Sequence, residues 1–483
     1  MIAFPFTFDT SAEEQMPLYQ QLYHFVKNEI RNGKLMGGVK LPSKRQLAQH
    51  LKISQNTVAA AYEQLTAEGY VQASPRSGFY VNQLDMTPKL SDPAGQNTVP
   101  GRLNPSQEQF GSDHSRQLWR YDMTTRSVDT AFFPFATWTR IMREIMHDEN
   151  REILKISHPQ GDYDLRSGIA RYLHEYRGVH CRPEQIIIGA GTEYLLGLIT
   201  QILGPNHIYA IENPGYIKTY RILRSNNADV HLIGLDDKGI KIDELEQSGS
   251  NVAYITPSHQ FPLGIIMPVN RRMQLLNWAG QQPERYLIED DYDSEFRFSG
   301  RPIPALQGLD THYKVIYIST FSKSMAPSLR ISYLVLPPQL LEQYHKNFMF
   351  YSSTVSRFEQ DALSRFIRNG HFERHLNRMR TIYKARKDCL VEELRKMPFS
   401  PRMTIIGENA GLHLLLRINS TYNEKALLAL AAAQGVKLYG LSDYYLDSAG
   451  NAPDHCVVLG YANYTEDEIR DMTHYLSIAW QFV

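Results

Sequence analysis

With 483 residues, 42% of them hydrophobic, the chain exceeds what one hydrophobic core usually supports, which predicts two or more folded domains. Lys plus Arg and Asp plus Glu number 51 each, which excludes a global electrostatic attraction to nucleic acid and leaves only a local DNA-binding surface. The three scattered cysteines argue against a disulfide framework or a zinc site and indicate a reducing compartment.

The amino terminus, MIAFPFTFDTSAEEQ, lacks the basic start and the continuous apolar stretch of a secretory signal. No run in the chain approaches the roughly 18 apolar residues that are needed to span a bilayer. We therefore expect a cytoplasmic protein with no membrane partner and no bound metal.

Three short helices are predicted between Pro17 and Gly69. The segment PLYQQLYHFVKNEIRNG places apolar residues at helical spacing, with Pro17 at its start and Gly33 at its end. LPSKRQLAQHLK predicts a second helix capped by Ser43, and ISQNTVAAAYEQLTAEGY predicts a third that is capped by Ser54 and ends at Gly69. VQASPRSGFYV then predicts two strands around a turn.

This order is that of a winged helix-turn-helix domain, in which the third helix enters the major groove. The segment resembles the GntR family of bacterial regulators through LPSKRQLAQHL, SQNTVAAAYEQLTAEGYV and the wing RSGFYV. The resemblance implies that residues 1–82 bind double-stranded DNA. Its candidate DNA contacts are Ser43, Lys44, Arg45, Ser54, Gln55, Asn56, Thr57, Arg76 and Gly78.

Positive charge at the start of the second helix supports this prediction. Lys44 and Arg45 oppose the helix dipole there, so an external anion accounts for them better than local stability does. Where the family often carries a basic residue after the TV pair, this chain has alanines at 59–61, so base readout is expected to depend more on Gln55 and Asn56. The alternative is a helical adaptor whose charges are merely solvated.

Residues 83–115 are rich in Pro, Gly, Ser, Asn and Gln and show almost no aliphatic periodicity, which predicts a flexible linker. Beyond it, five short apolar runs alternate with helical patterns: EQIIIGAG, HIYAIENPG, NVAYITPSH, RYLIEDDY and KVIYISTFS. Residues 116–483 are therefore predicted to form an α/β domain with a largely parallel sheet. Functional groups are expected where these strands end.

The residues at those strand ends match what pyridoxal phosphate (PLP) requires: an amine, a carboxylate, an aromatic ring and a phosphate cradle. Lys323 follows KVIYIST, Asp290 ends RYLIED, and Tyr292 lies two residues further on, where it can share a face with Asp290. Tyr216 in NPGY is the stacking candidate, and GAGTEY offers backbone donors at the start of a helix. Taken singly, each has an ordinary explanation as a surface lysine, a cap or a turn.

Together and in this order these signals resemble the fold-type-I aminotransferases, and with the N-terminal domain they resemble the MocR subfamily of GntR regulators. The resemblance covers nearly the whole chain through FFPFATW, PQGDYDLRSGIARYL, TPSHQFPLG, EDDYDSEFRF, TFSKSMAPSLR, FIRNGHFERHLNRMR and AGLHLLL. It implies a smaller C-terminal α/β subdomain at about residues 375–483.

The resemblance also implies roles for single residues. Lys323 would be the catalytic lysine that forms the internal aldimine, and Asp290 would pair with the pyridine nitrogen. Tyr292 would lie near the ring hydroxyl and Tyr216 would stack on the ring. The residues that would hold the phosphate are Gly191, Thr192, Thr320 and Arg330. For Arg330 the alternative is a salt bridge to a helix.

Two departures from the aminotransferase pattern argue against standard transamination. QFPLG has Phe261 where those enzymes have the asparagine of NPTG. HCVVLGYA has Val458 where a carboxylate-binding arginine is expected, and no arginine occurs from Ile418 to Glu468. Lys218, two residues after Tyr216, is the candidate for binding the carboxylate of an effector.

Three functions stay open. The first is a transcriptional regulator that senses PLP, either as the signal itself, as in subfamily members that activate vitamin B6 synthesis genes, or together with an amino acid or small peptide. The second is a working aminotransferase with an attached DNA-binding domain, and the third uses the larger domain only as a dimerisation scaffold. The resemblance also implies a homodimer whose two heads bind two half-sites of an operator.

Overall fold

The structure is a computed structural model, and it describes residues 17–74, 77–83, 119–147, 151–298, 303–446 and 453–481. The chain divides into two compact units, residues 1–114 and 115–483. Almost all of the predicted linker, and Arg76 among the candidate DNA contacts, lie outside the described residues. The boundaries of the domains stay a prediction.

The first unit contains three helices and a hairpin, as the sequence predicts. These elements are α1 (Leu18–Arg31), α2 (Lys44–Leu51), α3 (Gln55–Ala67), β1 (Val71–Ser74) and β2 (Gly78–Val81). The two strands pair antiparallel. Both predicted caps form, because Ser43 Oγ accepts a hydrogen bond from the Gln46 backbone N–H at 3.2 Å and Ser54 Oγ accepts one from the Thr57 N–H at 3.0 Å.

Helical spacing explains why this small unit has a core. The apolar positions of α1 and α3 face each other, and Leu22, Val26, Val58, Tyr62 and Leu65 are completely buried. The hairpin closes the same core through Val71 and Val81. Burial of these side chains fixes α2 and α3 with their amino-terminal turns exposed.

The second unit is a mixed α/β domain. Its strands are β3 (Tyr121–Asp122), β4 (Ile186–Ala190), β5 (Ile208–Asn213), β6 (Asp229–Asp236), β7 (Gly239–Ile240), β8 (Val252–Ile255), β9 (Tyr286–Asp291), β10 (Val315–Thr320), β11 (Ile331–Val335), β12 (Met403–Ile406), β13 (His413–Ile418), β14 (Val436–Lys437), β15 (Tyr439–Gly440) and β16 (Cys456–Gly460). Its helices are α4 (Phe135–His147), α5 (Tyr163–Arg177), α6 (Thr192–Leu203), α7 (Ile217–Ser225), α8 (Ile242–Gln247), α9 (Val269–Gly280), α10 (Pro338–Asn347), α11 (Arg357–Arg368), α12 (His371–Lys396), α13 (Glu424–Ala433) and α14 (Glu466–Ala479).

Eight of these strands form one sheet in the order β4-β11-β10-β9-β8-β5-β6-β7. The pairs from β10 to β6 are parallel, while β11 is antiparallel to both of its neighbours and β7 is antiparallel to β6. The five predicted runs form β4, β5, β8, β9 and β10. Consecutive residues such as Ile186, Ile187 and Ile188 are all buried, because helices cover both faces of the sheet.

A smaller antiparallel sheet, β12-β13-β16-β15, packs with α12 and α14 near the carboxyl end. Its core includes the fully buried Trp480 together with Tyr121 and Met123, because β3 pairs in parallel with β14. Residues that directly follow the predicted linker therefore join the C-terminal subdomain. None of the helices in the described ranges has the length and apolar character needed to cross a membrane.

Candidate functional site

A cavity of about 260 Å³ lies where β9 and β10 end and where the small subdomain meets the large sheet. It contains all but one of the residues that the sequence predicts for PLP or effector binding. Those that line it are Thr192, Tyr216, Lys218, Asp290, Tyr292, Thr320, Lys323 and Arg330. The remaining one, Gly191, is the N-cap of α6 beside Arg330. The roles of these residues stay predictions.

The alternation of β9 explains why Asp290 and Tyr292 share the cavity. Their neighbour Asp291 points to the other side of the sheet, where the Arg177 guanidinium donates a hydrogen bond to it at 2.8 Å. Both members of that ion pair are buried, with exposed fractions of 5% and 1%. Although burial works against it, Arg177 holds the pKa of Asp291 below its usual value.

The carboxyl of Asp290, unlike that of Asp291, has no cationic partner among the described residues and has a raised pKa. The Tyr254 hydroxyl donates a hydrogen bond to its Oδ2, but its buried Oδ1 has no hydrogen-bond partner among the described residues. The pKa of this carboxyl is raised to about 7, mainly by burial, with the Tyr254 hydrogen bond opposing the rise and the charges of Asp291 and Asp293 adding to it. A cationic N–H donor in the cavity would satisfy Oδ1 and restore the ionised form.

Lys323 follows β10 and points into the same cavity. Its Nζ donates a hydrogen bond to the carbonyl oxygen of Thr125 at 2.6 Å. Burial lowers the pKa of Lys323 to about 8, an effect that Asp293 opposes and Arg126 reinforces. About a tenth of this amine is then neutral at pH 7, so it can act as a nucleophile near neutral pH.

The residues predicted to hold phosphate form a cationic end of the cavity. Gly191 has φ +95°, and a Cβ there would overlap the Arg330 guanidinium, so only glycine lets the arginine approach this turn. Arg330 pairs with Glu193 at 2.6 Å, and Lys218 pairs with the same carboxylate at 3.1 Å. Arg330 therefore forms a salt bridge to helix α6, which the sequence left as its alternative role. With Lys218, two cationic side chains share the single carboxylate of Glu193.

The hydroxyl of Thr320 adds to this end. It accepts hydrogen bonds from the backbone N–H of Ser322 at 3.1 Å and from the Ser332 hydroxyl at 2.8 Å. Both Thr320 and Ser322 line the cavity. Hydroxyls, two cations and the backbone N–H groups at the start of α6 are the donors that an anionic phosphate needs.

Aromatic rings form another wall. Tyr216, which is 39% exposed, meets Phe261 edge to face with ring centroids 5.8 Å apart. Phe261 also contacts Tyr292 at 6.3 Å and Tyr444 at 5.1 Å in the same manner. The residue that replaces the aminotransferase asparagine thus adds apolar surface and no hydrogen bond to this wall.

A buried polar network lies behind Tyr292. Its hydroxyl is 3.0 Å from Nδ1 of His259, which in turn is 3.0 Å from Asp293. His413 hydrogen-bonds to the Pro262 carbonyl at 3.0 Å, and burial lowers its pKa to about 3, so it is neutral. These contacts fix the orientation of Tyr292 at the cavity.

Sequence reasoning missed several residues that line the cavity. Asp293 and His413 lie inside the motifs EDDYDSEFRF and AGLHLLL, which offered a signal for them. Thr125 and Arg126 lie in TTRSVD, which no predicted element includes. Only the folded chain brings that segment to Lys323, 198 residues away from Thr125.

Val458 lies in the middle of β16, paired with Leu415 on one side and Tyr439 on the other, and is fully buried. The expected arginine of an aminotransferase is absent from this strand. Of the two departures from the aminotransferase sequence pattern, Phe261 lines the cavity, whereas Val458 lies in a hydrophobic cluster with Leu415 and Leu441.

The candidate DNA surface lies on the first unit. Arg45, Gln55 and Asn56 are exposed at the amino-terminal turns of α2 and α3, neither of which carries an acidic residue. Lys44 lies over the ring of Phe79 at 5.3 Å and 3.5 Å from Glu63. The hydroxyls of Ser43 and Ser54 are occupied as helix caps, and Gly78 begins the second strand of the hairpin.

Comparison with known proteins identifies both units. Residues 18–81 match the gntR family of bacterial regulatory proteins, and residues 129–472 match aminotransferase class I and II. The chain is 42% identical to an uncharacterized HTH-type transcriptional regulator, YdeL, of Bacillus subtilis, over 96% of this chain and 97% of that one.

Two further regulators and one solved structure are similar over long stretches. The probable rhizopine catabolism regulatory protein MocR of Rhizobium meliloti is 32% identical over 95% of this chain and 93% of its own. The pyridoxine biosynthesis regulator PdxR of Corynebacterium glutamicum is 28% identical over 93% of each. The crystal structure of a kynurenine aminotransferase from Pyrococcus horikoshii matches with a TM-score of 0.65 and 25% identity, over 74% of this chain and 90% of that chain.

The fold and these matches define an HTH-type transcriptional regulator in which a DNA-binding domain precedes an aminotransferase-like domain. This chain belongs to the MocR subfamily of GntR-type regulators. The GntR domain makes DNA a partner, and the aminotransferase fold is one that binds PLP.

Proposed function

We propose that this regulator binds PLP in the cavity of its second unit and that PLP, alone or with an amine-bearing ligand, changes how it binds operator DNA. The observation that carries the proposal is that Asp290 and Lys323 line the same cavity. A buried carboxylate oxygen there has no hydrogen-bond partner within the described ranges, and an amine there has a pKa of about 8.

The residues present fit this cofactor at each of its polar groups. Asp290 would hold the proton of the pyridine nitrogen, which supplies the missing partner for Oδ1. Thr192, Thr320 and Arg330 would hold the phosphate, with the backbone turn at Gly191 leaving room for it. When bound, PLP supplies an aldehyde that reacts with primary amines.

The chain's own groups prepare that chemistry. Lys323 is held toward the cavity by the Thr125 carbonyl, and its lowered pKa keeps part of the amine neutral. Tyr292 is held by His259 and can donate to, or accept from, an oxygen in the cavity. Tyr216 offers an aromatic face to a ring, and Phe261 limits the room beside it.

The sensing role is favoured over turnover by what surrounds the cavity. Val458 is buried where an aminotransferase has a carboxylate-binding arginine, so an amino-acid substrate would not be held from this strand in the orientation that standard transamination uses. The name of PdxR, a regulator of pyridoxine biosynthesis, supports PLP itself as a signal. A working aminotransferase is the alternative, which steady production of a keto acid would reveal.

We also infer that the regulator acts as a homodimer on an operator with two half-sites. Several large apolar side chains of the second unit are exposed, among them Leu154 at 73%, Ile156 at 84% and Phe350 at 76%. Contact with a second copy would remove such surface from water. Sedimentation of the purified protein tests this, and a monomer at micromolar concentration would contradict it.

The central test measures binding of the purified protein to DNA upstream of its own gene, with and without PLP. Wild type, Lys323→Ala and the control Lys384→Ala, an exposed lysine on α12, are compared. We expect PLP to change the affinity or footprint of wild type and of the control, and to leave those of Lys323→Ala unchanged.

Each other outcome has a distinct meaning. If wild type takes up PLP but its DNA binding is indifferent to it, the signal is a further amine ligand and PLP alone is not sensed. If the absorption spectrum shows that the protein takes up no PLP, the aminotransferase-like unit is a scaffold and the proposed function is wrong.

A further inference from the structure

Arg126 lines the cavity, although nothing in the sequence pattern gives it a role. The residue before it, Thr125, accepts the hydrogen bond from Lys323 Nζ at 2.6 Å, so the segment is fixed beside that amine. Burial is the main cause of the lowered pKa of Lys323, and the charge of Arg126 contributes to it. A guanidinium therefore acts on the reactive end of the cavity.

Apart from the reactive Lys323, the other lysine and arginine side chains that line the cavity already have an anionic partner. Arg330 and Lys218 both pair with Glu193, at 2.6 Å and 3.1 Å. Arg126, in contrast, has no ion-pair partner in the part of the chain that the structure describes, and it is exposed. Among the described residues, Arg126 is thus a cavity arginine without an ion-pair partner, and it lies on the segment that contacts Lys323.

We propose that Arg126 binds the carboxylate of an amine-bearing co-ligand, so that the co-ligand is an amino acid and not a simple amine. This rests on the proposed function, since bound PLP is what makes the cavity receptive to primary amines. A guanidinium offers two parallel N–H donors that match the two oxygens of a carboxylate. Arg126 then replaces the arginine that β16 lacks.

The position of Arg126 in the fold gives such a ligand a means of regulation. Arg126 follows β3, which pairs with β14 of the small subdomain, whereas Lys323 follows β10 of the large sheet. A ligand with its amine at Lys323 and its carboxylate on Arg126 connects the two subdomains. Such a ligand favours the arrangement of the two subdomains in which its amine and its carboxylate are both bound. An effector must favour one arrangement over another in this way.

Lys218 is the competing candidate, because it also lines the cavity and the sequence suggested it for this role. Its ammonium, however, lies 3.1 Å from the Glu193 carboxylate and would have to leave that partner. It also offers a single point of charge instead of a planar fork. The geometry therefore favours Arg126.

The test uses full-length protein loaded with PLP and follows the change in cofactor absorption during titration with paired probes. The probes are glycine, L-alanine, β-alanine and 4-aminobutanoate, each as the free acid and as its neutral carboxamide. The ratio of the two dissociation constants within one variant measures the preference for a carboxylate, whatever amount of PLP that variant retains. The variants are Arg126→Gln, Arg126→Lys, Lys218→Gln and the exposed control Arg143→Gln.

We expect wild type to bind at least one acid about tenfold or more tightly than its carboxamide. Arg126→Gln should lose this preference, Arg126→Lys should retain part of it, and Lys218→Gln and Arg143→Gln should keep it within about threefold.

The inference is overturned if wild type prefers none of the acids, if Arg126→Gln keeps the preference, or if only Lys218→Gln loses it. In all of these cases PLP uptake before the titration shows that the cavity still binds PLP, so the proposed function is not overturned with the inference. Failure of wild type to take up PLP at all, seen before any amine is added, overturns the proposed function and this inference together.

Discussion

Replacement of Asp290 by Asn should change the stability of the second unit in opposite directions with and without PLP. Without PLP, burial raises the pKa of Asp290 from 3.8 to about 7. That interval corresponds to about 4 kcal/mol at about 1.36 kcal/mol per pH unit. Because water can enter the cavity, we take about 2–4 kcal/mol as the cost of ionising this carboxyl in the folded state.

The pH dependence follows from the direction of this pKa change. Below about pH 4 the carboxyl is protonated in both the folded and the unfolded state, so it carries no penalty. As the pH rises toward 7 the unfolded state loses its proton first, and the stability of wild type falls until it levels off above the folded pKa. An asparagine does not ionise, so Asp290→Asn should be the more stable protein at pH 8, by about 2–4 kcal/mol, and little different near pH 4.

Addition of PLP should reverse that order. An ionised Asp290 would pair with the protonated pyridine nitrogen through a charge-assisted hydrogen bond, which contributes about 1.5–3 kcal/mol. Asp290→Asn should therefore bind PLP about 10- to 150-fold more weakly. At a PLP concentration that saturates wild type only, wild type becomes the more stable protein.

The assay is the thermal unfolding midpoint of the second unit at pH 8 and pH 5, with and without PLP. The differences should be on the order of a few °C, and the exposed Asp237→Asn should behave as wild type throughout. The reasoning is refuted if Asp290→Asn is less stable than wild type at pH 8 without PLP, or if both proteins bind PLP equally.

Three further changes test other parts of the molecule. Arg177→Met leaves Asp291 buried without its partner and should destabilise the second unit by about 3–5 kcal/mol at pH 8 in urea unfolding; the deficit should shrink at pH 5, as Asp291 takes up a proton, and a deficit independent of pH contradicts this account. Gly191→Ala forces a side chain into a positive-φ turn against Arg330, so it should cost about 1–3 kcal/mol of stability and reduce the preference for PLP over pyridoxal; an unchanged preference would rule out a phosphate role for this turn. Arg45→Ala should weaken binding to all DNA sequences alike and reduce the slope of log affinity against log salt by about 1, whereas an unchanged slope means that this residue contacts no phosphate.

Local rules explain which elements could be predicted. Ser43 and Ser54 cap their helices because a short hydroxyl side chain can accept a backbone N–H of the first turn, whatever the rest of the chain does. The buried strands β4, β5, β8, β9 and β10 show as continuous apolar runs because both of their faces are covered. β6 was not predicted, since most of its residues are half-buried or exposed and polar residues interrupt its apolar run, and β11 lies in a segment considered only for Arg330.

The sequence alone determined the residues that follow each strand. The spacing of two between Asp290 and Tyr292 gives them one face, and Lys323 follows the last residue of β10 closely enough to share the same edge of the sheet. These features depend on a few neighbouring residues, so one sequence without relatives suffices to predict them.

Tertiary structure decided what those residues meet. The sharing of Glu193 by Arg330 and Lys218, and the hydrogen bond from Lys323 to Thr125, join segments that lie far apart in the chain. Such contacts depend on how β3 pairs with the small subdomain and how that subdomain packs on the large sheet. No local sequence pattern predicts this packing, because an apolar segment can be buried against any other apolar segment of the chain.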